Sequence, residues 1–230
     1  MITATMASIA CRESAMLRVV ASLSPQVDRV RVYLNDYYAA PLCGLHNVEF
    51  VLHPFGDLGD AGKFAFDVEG YHLSCDDDIV YPPNYAEMMV AAVERYDRQV
   101  VCSIHGARVR TPIKSYYRGG RTVYHCRHDL LADTPAHILG TGVMAYHTDL
   151  VRFDGRAFGN GFMADIWVGL QLQERKIPAV CLAHWQGWLE VLNVPRTIAA
   201  EYRNRDSVQT RTVNSRQWSV YEVRRPHSNV

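Results

Sequence analysis

Residues 71–82 read Tyr71-His72-Leu73-Ser74-Cys75-Asp76-Asp77-Asp78-Ile79-Val80-Tyr81-Pro82, a short apolar run that ends in three consecutive carboxylates and then in a proline-led helix start. The run has the β-rich, mostly apolar character of a buried strand. Three adjacent acids repel one another at neutral pH, so a positive partner is expected beside them. In an extended backbone Asp76 and Asp78 share one face while Asp77 points to the other, which lets two carboxylates converge on one ion. Hard oxygen donors of this kind suit Mg²⁺ or Mn²⁺. Taken alone, the triplet also fits a solvated strand end and helix cap ahead of Pro82, and its context has to decide.

Upstream, residues 2–10 read as a first strand and residues 13–24 as a helix with Met16, Val19, Val20 and Leu23 on one face. Strands are expected at 28–34 and 48–52, separated by a Pro41 and Gly44 loop. Gly56-Asp57-Leu58-Gly59-Asp60-Ala61-Gly62-Lys63 follows, with Asp60 placed as a cap and Lys63 in the first helical turn, where backbone N–H groups and one ammonium would form an anion site. It lacks the full P-loop pattern.

Downstream, residues 84–97 form a helix pattern whose Met88 and Met89 are core, and 100–104 a strand. The basic, aromatic stretch 111–133 is loop-rich, with a hairpin ending at 122–126. Gly140-Thr141-Gly142 opens a strand reaching His147, where missing side chains permit close approach or a bend. Residues 158–161 read as a flexible loop, 164–176 as a helix stopped before Pro178, and 177–183 as the next strand. Strands alternating with helices define an α/β class: a single Rossmann-like domain with a mostly parallel central sheet and helices on both faces.

The 230 residues suffice for one domain with a large core. Lys plus Arg and Asp plus Glu both number 24, so no global basic field argues for nucleic acid. The six cysteines show no CxxC pair, which favours reduced thiols and a cytoplasmic setting. His125, Cys126 and His128 lack a second ligand pair and read as surface or packing residues. No apolar run reaches the length of a membrane span. The opening residues lack a basic leader and read as a strand, not a signal segment. Residues 201–230 carry six Arg against three acids, a local net of +3, which fits both a solvated tail and a lid.

Four places, in order and spacing, resemble bacterial glycosyltransferases of the GT-A fold, of the family 2-like and capsular-polysaccharide kind. They are Ala7-Ser8-Ile9-Ala10-Cys11-Arg12, Asp57-Leu58-Gly59-Asp60-Ala61-Gly62-Lys63, Asp76-Asp77-Asp78-Ile79-Val80-Tyr81-Pro82 and Ala164-Asp165-Ile166-Trp167. The third looks like that family's Asp-any-Asp metal motif. The resemblance covers residues 2 to about 190 as the GT-A domain and leaves 191–230 as an unassigned tail or lid.

What the resemblance implies is metal-dependent transfer of one sugar from a nucleoside-diphosphate sugar, a UDP-sugar first, to a saccharide or lipid-linked acceptor, with inversion. Mn²⁺ or Mg²⁺ would be held by Asp78 with Asp76, and His184 would be a third ligand. Ser8, Arg12, Asp36, Lys63, Asp76 and Asp77 would border the donor, and Asp165 would be the general base, ahead of Asp154, Asp149 and Asp133. Trp185 and Trp188 would stack on sugar or pack. Position 164 is Ala where many relatives carry a second acid. The Gln-x-x-Arg-Trp signature of processive synthases is absent, which implies single-sugar addition. Peripheral membrane contact through the basic end fits a lipid-linked acceptor. Two other readings are a sugar-nucleotide nucleotidyltransferase and a non-catalytic nucleotide- or carbohydrate-binding module.

Overall fold

The apolar run at 71–75 lies near the middle of the sheet in the computed structural model, which describes residues 1–159 and 162–223. In chain order the principal elements are β1 (Ile2–Ser8), α1 (Glu13–Leu23), β2 (Arg29–Leu34), β3 (Val48–Leu52), β4 (Tyr71–Cys75), α2 (Tyr85–Arg95), β5 (Val101–Ser103), β6 (Thr134–Ala136), β7 (Val143–His147), α3 (Ala164–Arg175), β8 (Ala179–Cys181), α4 (Ile198–Tyr202) and α5 (Ser207–Asn214). The strands form one eight-stranded sheet in the order β3-β2-β1-β4-β7-β5-β8-β6.

β3, β2, β1 and β4 run parallel, which brings the carboxyl ends of β1, β2 and β4 to one edge. β5 and β8 are also parallel. β7 runs antiparallel between β4 and β5, and β6 closes the far side antiparallel to β8. The result is a single α/β domain with a mixed sheet, compatible with a Rossmann-like fold. β6 was not foreseen. Its Pro135 has no N–H to give a second neighbour, which suits an edge position.

Helices cover both faces. Met16, Val19, Val20 and Leu23 recur at helical spacing on α1 and, with Tyr85, Met89 and Val93 of α2, pack against Ala4, Met6, Val32 and Leu73. On the other face Ala164, Val168 and Leu172 of α3 meet Val101, Met144, Tyr146 and Cys181. Truncating one of these buried aliphatic side chains to Ala would cost about 2–5 kcal/mol.

The stretch expected to be loop-rich contributes a ribbon in which Gly106–Val109 pairs with both Arg121–Tyr124 and Ile138–Leu139. The segment after 190 is not a solvated tail over its described length. Val213 of α5 is fully buried against Met163, Ile166 and Ile138, and Trp218 donates from its indole to the Val213 carbonyl at 2.9 Å. Asn160, Gly161 and residues 224–230 lie outside the described residues. All six cysteines are free, with Cys75, Cys102, Cys126 and Cys181 buried. Among the described residues no helix is long and apolar enough to cross a membrane.

Candidate functional site

β4 ends at Cys75 and the chain turns at once, so Asp77 and Asp78 belong to a turn and not to an extended strand. The alternating-face argument for Asp76 and Asp78 therefore fails on its geometric premise. The turn is braced by Tyr81, whose hydroxyl accepts from the Asp76 backbone N–H at 2.9 Å and donates to the Gly142 carbonyl. What separates the three acids is their partners.

Asp77 is buried and accepts from Ser8 Oγ at 2.8 Å and Arg12 Nη1 at 2.7 Å. Burial pushes its carboxyl up, against the pull of Arg12 and Ser8. Arg12 is fixed further by the carbonyls of Pro195 and Arg196, at 3.0 and 2.8 Å, so it ties the end of β1 to the C-terminal segment. Asp78 makes no side-chain hydrogen bond among the described residues, and its nearest counter-charge is Arg12 Nη1 at 3.8 Å. Burial first, then Asp76 and Asp77, hold its carboxyl above the usual carboxylate range.

Asp76 pairs with Lys63. The Gly-rich stretch folds as a 3₁₀ turn, Gly59–Phe64, pressed against β2 so closely that a Cβ on Gly62 would lie 2.6 Å from the Tyr33 ring. That packing buries Lys63, and Asp76 engages its ammonium, so the expected anion site is occupied by the protein's own carboxylate. Burial works to lower the Lys63 pKa, but Asp76 together with Asp60 and Asp165 outweighs it and the net shift is upward. Asp60, expected to cap its own turn, instead accepts from the Ala164 backbone N–H at 3.0 Å, at the start of α3. Its other oxygen, Oδ1, is buried without a partner among the described residues, and burial pushes the carboxyl up to about 6.

Asp165 sits in the first turn of α3, where Oδ1 accepts the Thr141 backbone N–H at 2.8 Å and its hydroxyl at 2.6 Å. Burial raises its pKa and the two Thr141 bonds oppose the rise. The Gly140-Thr141-Gly142 stretch is thus a junction. A Cβ on Gly142 would fall 1.9 Å from Asp76 Oδ2, so only glycine lets that carboxylate settle where it does.

These groups line two cavities with a common wall. One, of about 260 Å³, is bordered by Ser8, Arg12, Asn35, Asp77, Asp78 and residues 196–199 of the C-terminal segment. The other, of about 220 Å³, is bordered by Tyr116, Tyr117, Thr141 and Asp165. Asp60, Lys63, Asp76, Phe162, Ile198 and Ala199 line both. Phe162 stacks on Tyr202 of α4, with ring centroids 5.7 Å apart, which closes the C-terminal segment over the pair.

The remaining expected residues lie elsewhere. Asp36 does not line either cavity; it accepts the Ala10 N–H at 2.6 Å and faces Arg196 at 3.8 Å. His184 is buried and lines neither cavity, with its ring nitrogens 2.7 Å from the Leu182 carbonyl and 3.3 Å from that of His125. Trp188 packs on Tyr85 in the core, while Trp185 is exposed. Asp133 is engaged by Arg95 and Tyr96, Asp154 by Arg156, and Asp149 faces His147. Sequence reasoning missed Thr141, Tyr116, Tyr117 and Phe162, and read Asp60 only as a cap. The adjacent tyrosines in a basic stretch were the one local signal of an aromatic wall.

Neither a scan against protein-family models nor a search of curated proteins finds a match to this chain.

Proposed function

We propose that the chain is a metal-dependent glycosyltransferase that moves one sugar from a nucleoside-diphosphate sugar, a UDP-sugar first, to a saccharide or lipid-linked acceptor with inversion. The observation that carries this reading is the shared wall: Asp76 and Lys63 stand between a compartment holding Asp77, Asp78 and Arg12 and one holding Asp165. A donor diphosphate and an acceptor hydroxyl could each have a compartment and meet at that wall.

The donor set fits a hard divalent ion, Mn²⁺ or Mg²⁺: oxygen ligands only, and at Asp78 a part-buried carboxylate with no hydrogen bond of its own among the described residues. Asp78 and Asp76 would hold it. When bound it would supply positive charge to the departing diphosphate. Asp77, neutralised by Arg12, keeps the turn and the C-terminal segment in place.

Asp165 is suited to act as base. Thr141 occupies Oδ1 with two bonds and fixes the carboxylate, which leaves Oδ2 to take the proton of an attacking hydroxyl. A positioned base of this kind contributes roughly 10²–10⁴-fold. Tyr116 is buried with the Arg121 guanidinium 3.7 Å above its ring, so it backs the wall, and half-buried Tyr117 beside it is the ring on which a sugar can stack. The test is release of nucleoside diphosphate from UDP-, GDP- and dTDP-sugars, and of CMP from CMP-sugars, with and without Mn²⁺. Metal-dependent release from one class supports the reading, and a protein that neither binds nor consumes any of them overturns it.

A further inference from the structure

A second group of ligating side chains lies outside the two cavities. His105, in the turn between β5 and Gly106–Val109, comes together with His125 and Cys126 just past Arg121–Tyr124, and one ligand atom from each lies within 4.8 Å of the others. None of the three lines either cavity. We propose that His105, His125 and Cys126 form a binding site for a soft divalent cation of the zinc class, tying the ribbon to the end of β5, with a water completing the shell.

The donor types argue for that ion class. Two imidazoles and a thiolate are the ligands of Zn²⁺ and its neighbours, whereas Mg²⁺ and Mn²⁺ prefer carboxylates. Tetrahedral Zn²⁺ with bonds of about 2.0–2.3 Å needs donors about 3.4 Å apart, so donors that now lie within 4.8 Å of one another have to close by up to about 1.4 Å. Cys126 Sγ and His125 Nδ1 already stand 3.9 Å apart. Both Nδ1 atoms carry lone pairs, since each accepts a long backbone bond, from Cys126 N at 3.4 Å to His105 and from Arg127 N at 3.2 Å to His125. Such weak bonds are readily exchanged for a metal bond.

The surroundings hold the group in place. A Cβ on Gly140 would lie 2.8 Å from His105 Cβ, so that glycine makes room for the histidine. His184 ties the other side, bridging through its backbone to Leu130 at 2.9 Å in both directions while its ring faces the His125 carbonyl. The inference does not depend on the glycosyltransferase reading.

The test is titration of the chelator-treated full chain with Co²⁺ alone, followed by Zn²⁺. A thiolate-to-cobalt charge-transfer band saturating near one equivalent and erased by Zn²⁺ is expected. Cys126→Ser should abolish the band, His125→Ala should weaken Co²⁺ binding about tenfold or more, and Asp78→Asn should leave the band intact. No band in the unaltered chain, or an undiminished band in Cys126→Ser, overturns the proposal. If Cys126→Ser does not fold, His125→Ala decides, because unchanged Co²⁺ affinity there is equally fatal.

Discussion

Arg12 Nη1 donates to Asp77 at 2.7 Å and stands 3.8 Å from Asp78, so a single guanidinium satisfies the middle acid of the triplet and only borders the last. Because Arg12 and Asp77 are nearly buried, removing one partner strands the other's charge. Arg12→Met should cost about 3–5 kcal/mol in urea unfolding. Arg12→Met with Asp77→Asn should recover part of that loss, and additive losses would mean the pair is not coupled.

Asp165 and Thr141 give a paired prediction. Asp165→Asn keeps an acceptor for Thr141, so the fold should persist while transfer falls roughly 10²–10⁴-fold. Thr141→Val removes only the hydroxyl bond that favours the charged carboxylate. The acidic limb of the kcat/KM profile should then move upward by about one pH unit, and an unmoved limb would mean that Asp165 is not the group being titrated.

Gly142→Ala tests the close approach to Asp76. The backbone tolerates alanine there, but the new methyl would displace the carboxylate and separate it from Lys63. Mn²⁺-dependent nucleotide binding should weaken about tenfold or more, read by calorimetry. Wild-type affinity would show that the position of Asp76 does not matter.

Asp60 carries a pH signature. Its folded pKa, near 6, lies above the ordinary carboxylate value, so its favourable contribution is present below about 4 and is lost as pH rises through 6. Asp60→Asn keeps the acceptor for Ala164 and cannot ionise. Its stability advantage over the native chain should grow between pH 4 and pH 7, to roughly 1–3 kcal/mol, and a constant difference across that range would contradict the assignment.

Much of the framework was legible in the residues because local pattern decides it: the 3-4-7 spacing on α1, the apolar run of β4 and the Asp at the start of α3 all lie where periodicity puts them. The triplet was legible as a site but not in its geometry, since a strand was assumed where the chain turns and Tyr81 braces the turn. Lys63 read as an anion ligand because nothing local reveals that Gly62 packs on Tyr33 and turns its ammonium to Asp76. Thr141 and Asp165 are 24 residues apart, and His105 and Cys126 are 21 apart. Contacts of that span come from topology, here the antiparallel insertion of β7 and the ribbon, which no short window encodes. The C-terminal segment was read as charge alone, because of the two buried side chains of α5, Gln209 and Val213, only Val213 is apolar and it is isolated among polar neighbours.

The central claim is that Asp78 holds a divalent ion beside a nucleoside diphosphate. Calorimetric titration of UDP into the chain with Mn²⁺, with EDTA, and into Asp78→Asn with Mn²⁺ tests it most directly. The account predicts binding with Mn²⁺ that weakens at least about tenfold both in EDTA and in Asp78→Asn. Binding of equal strength under all three conditions would contradict it.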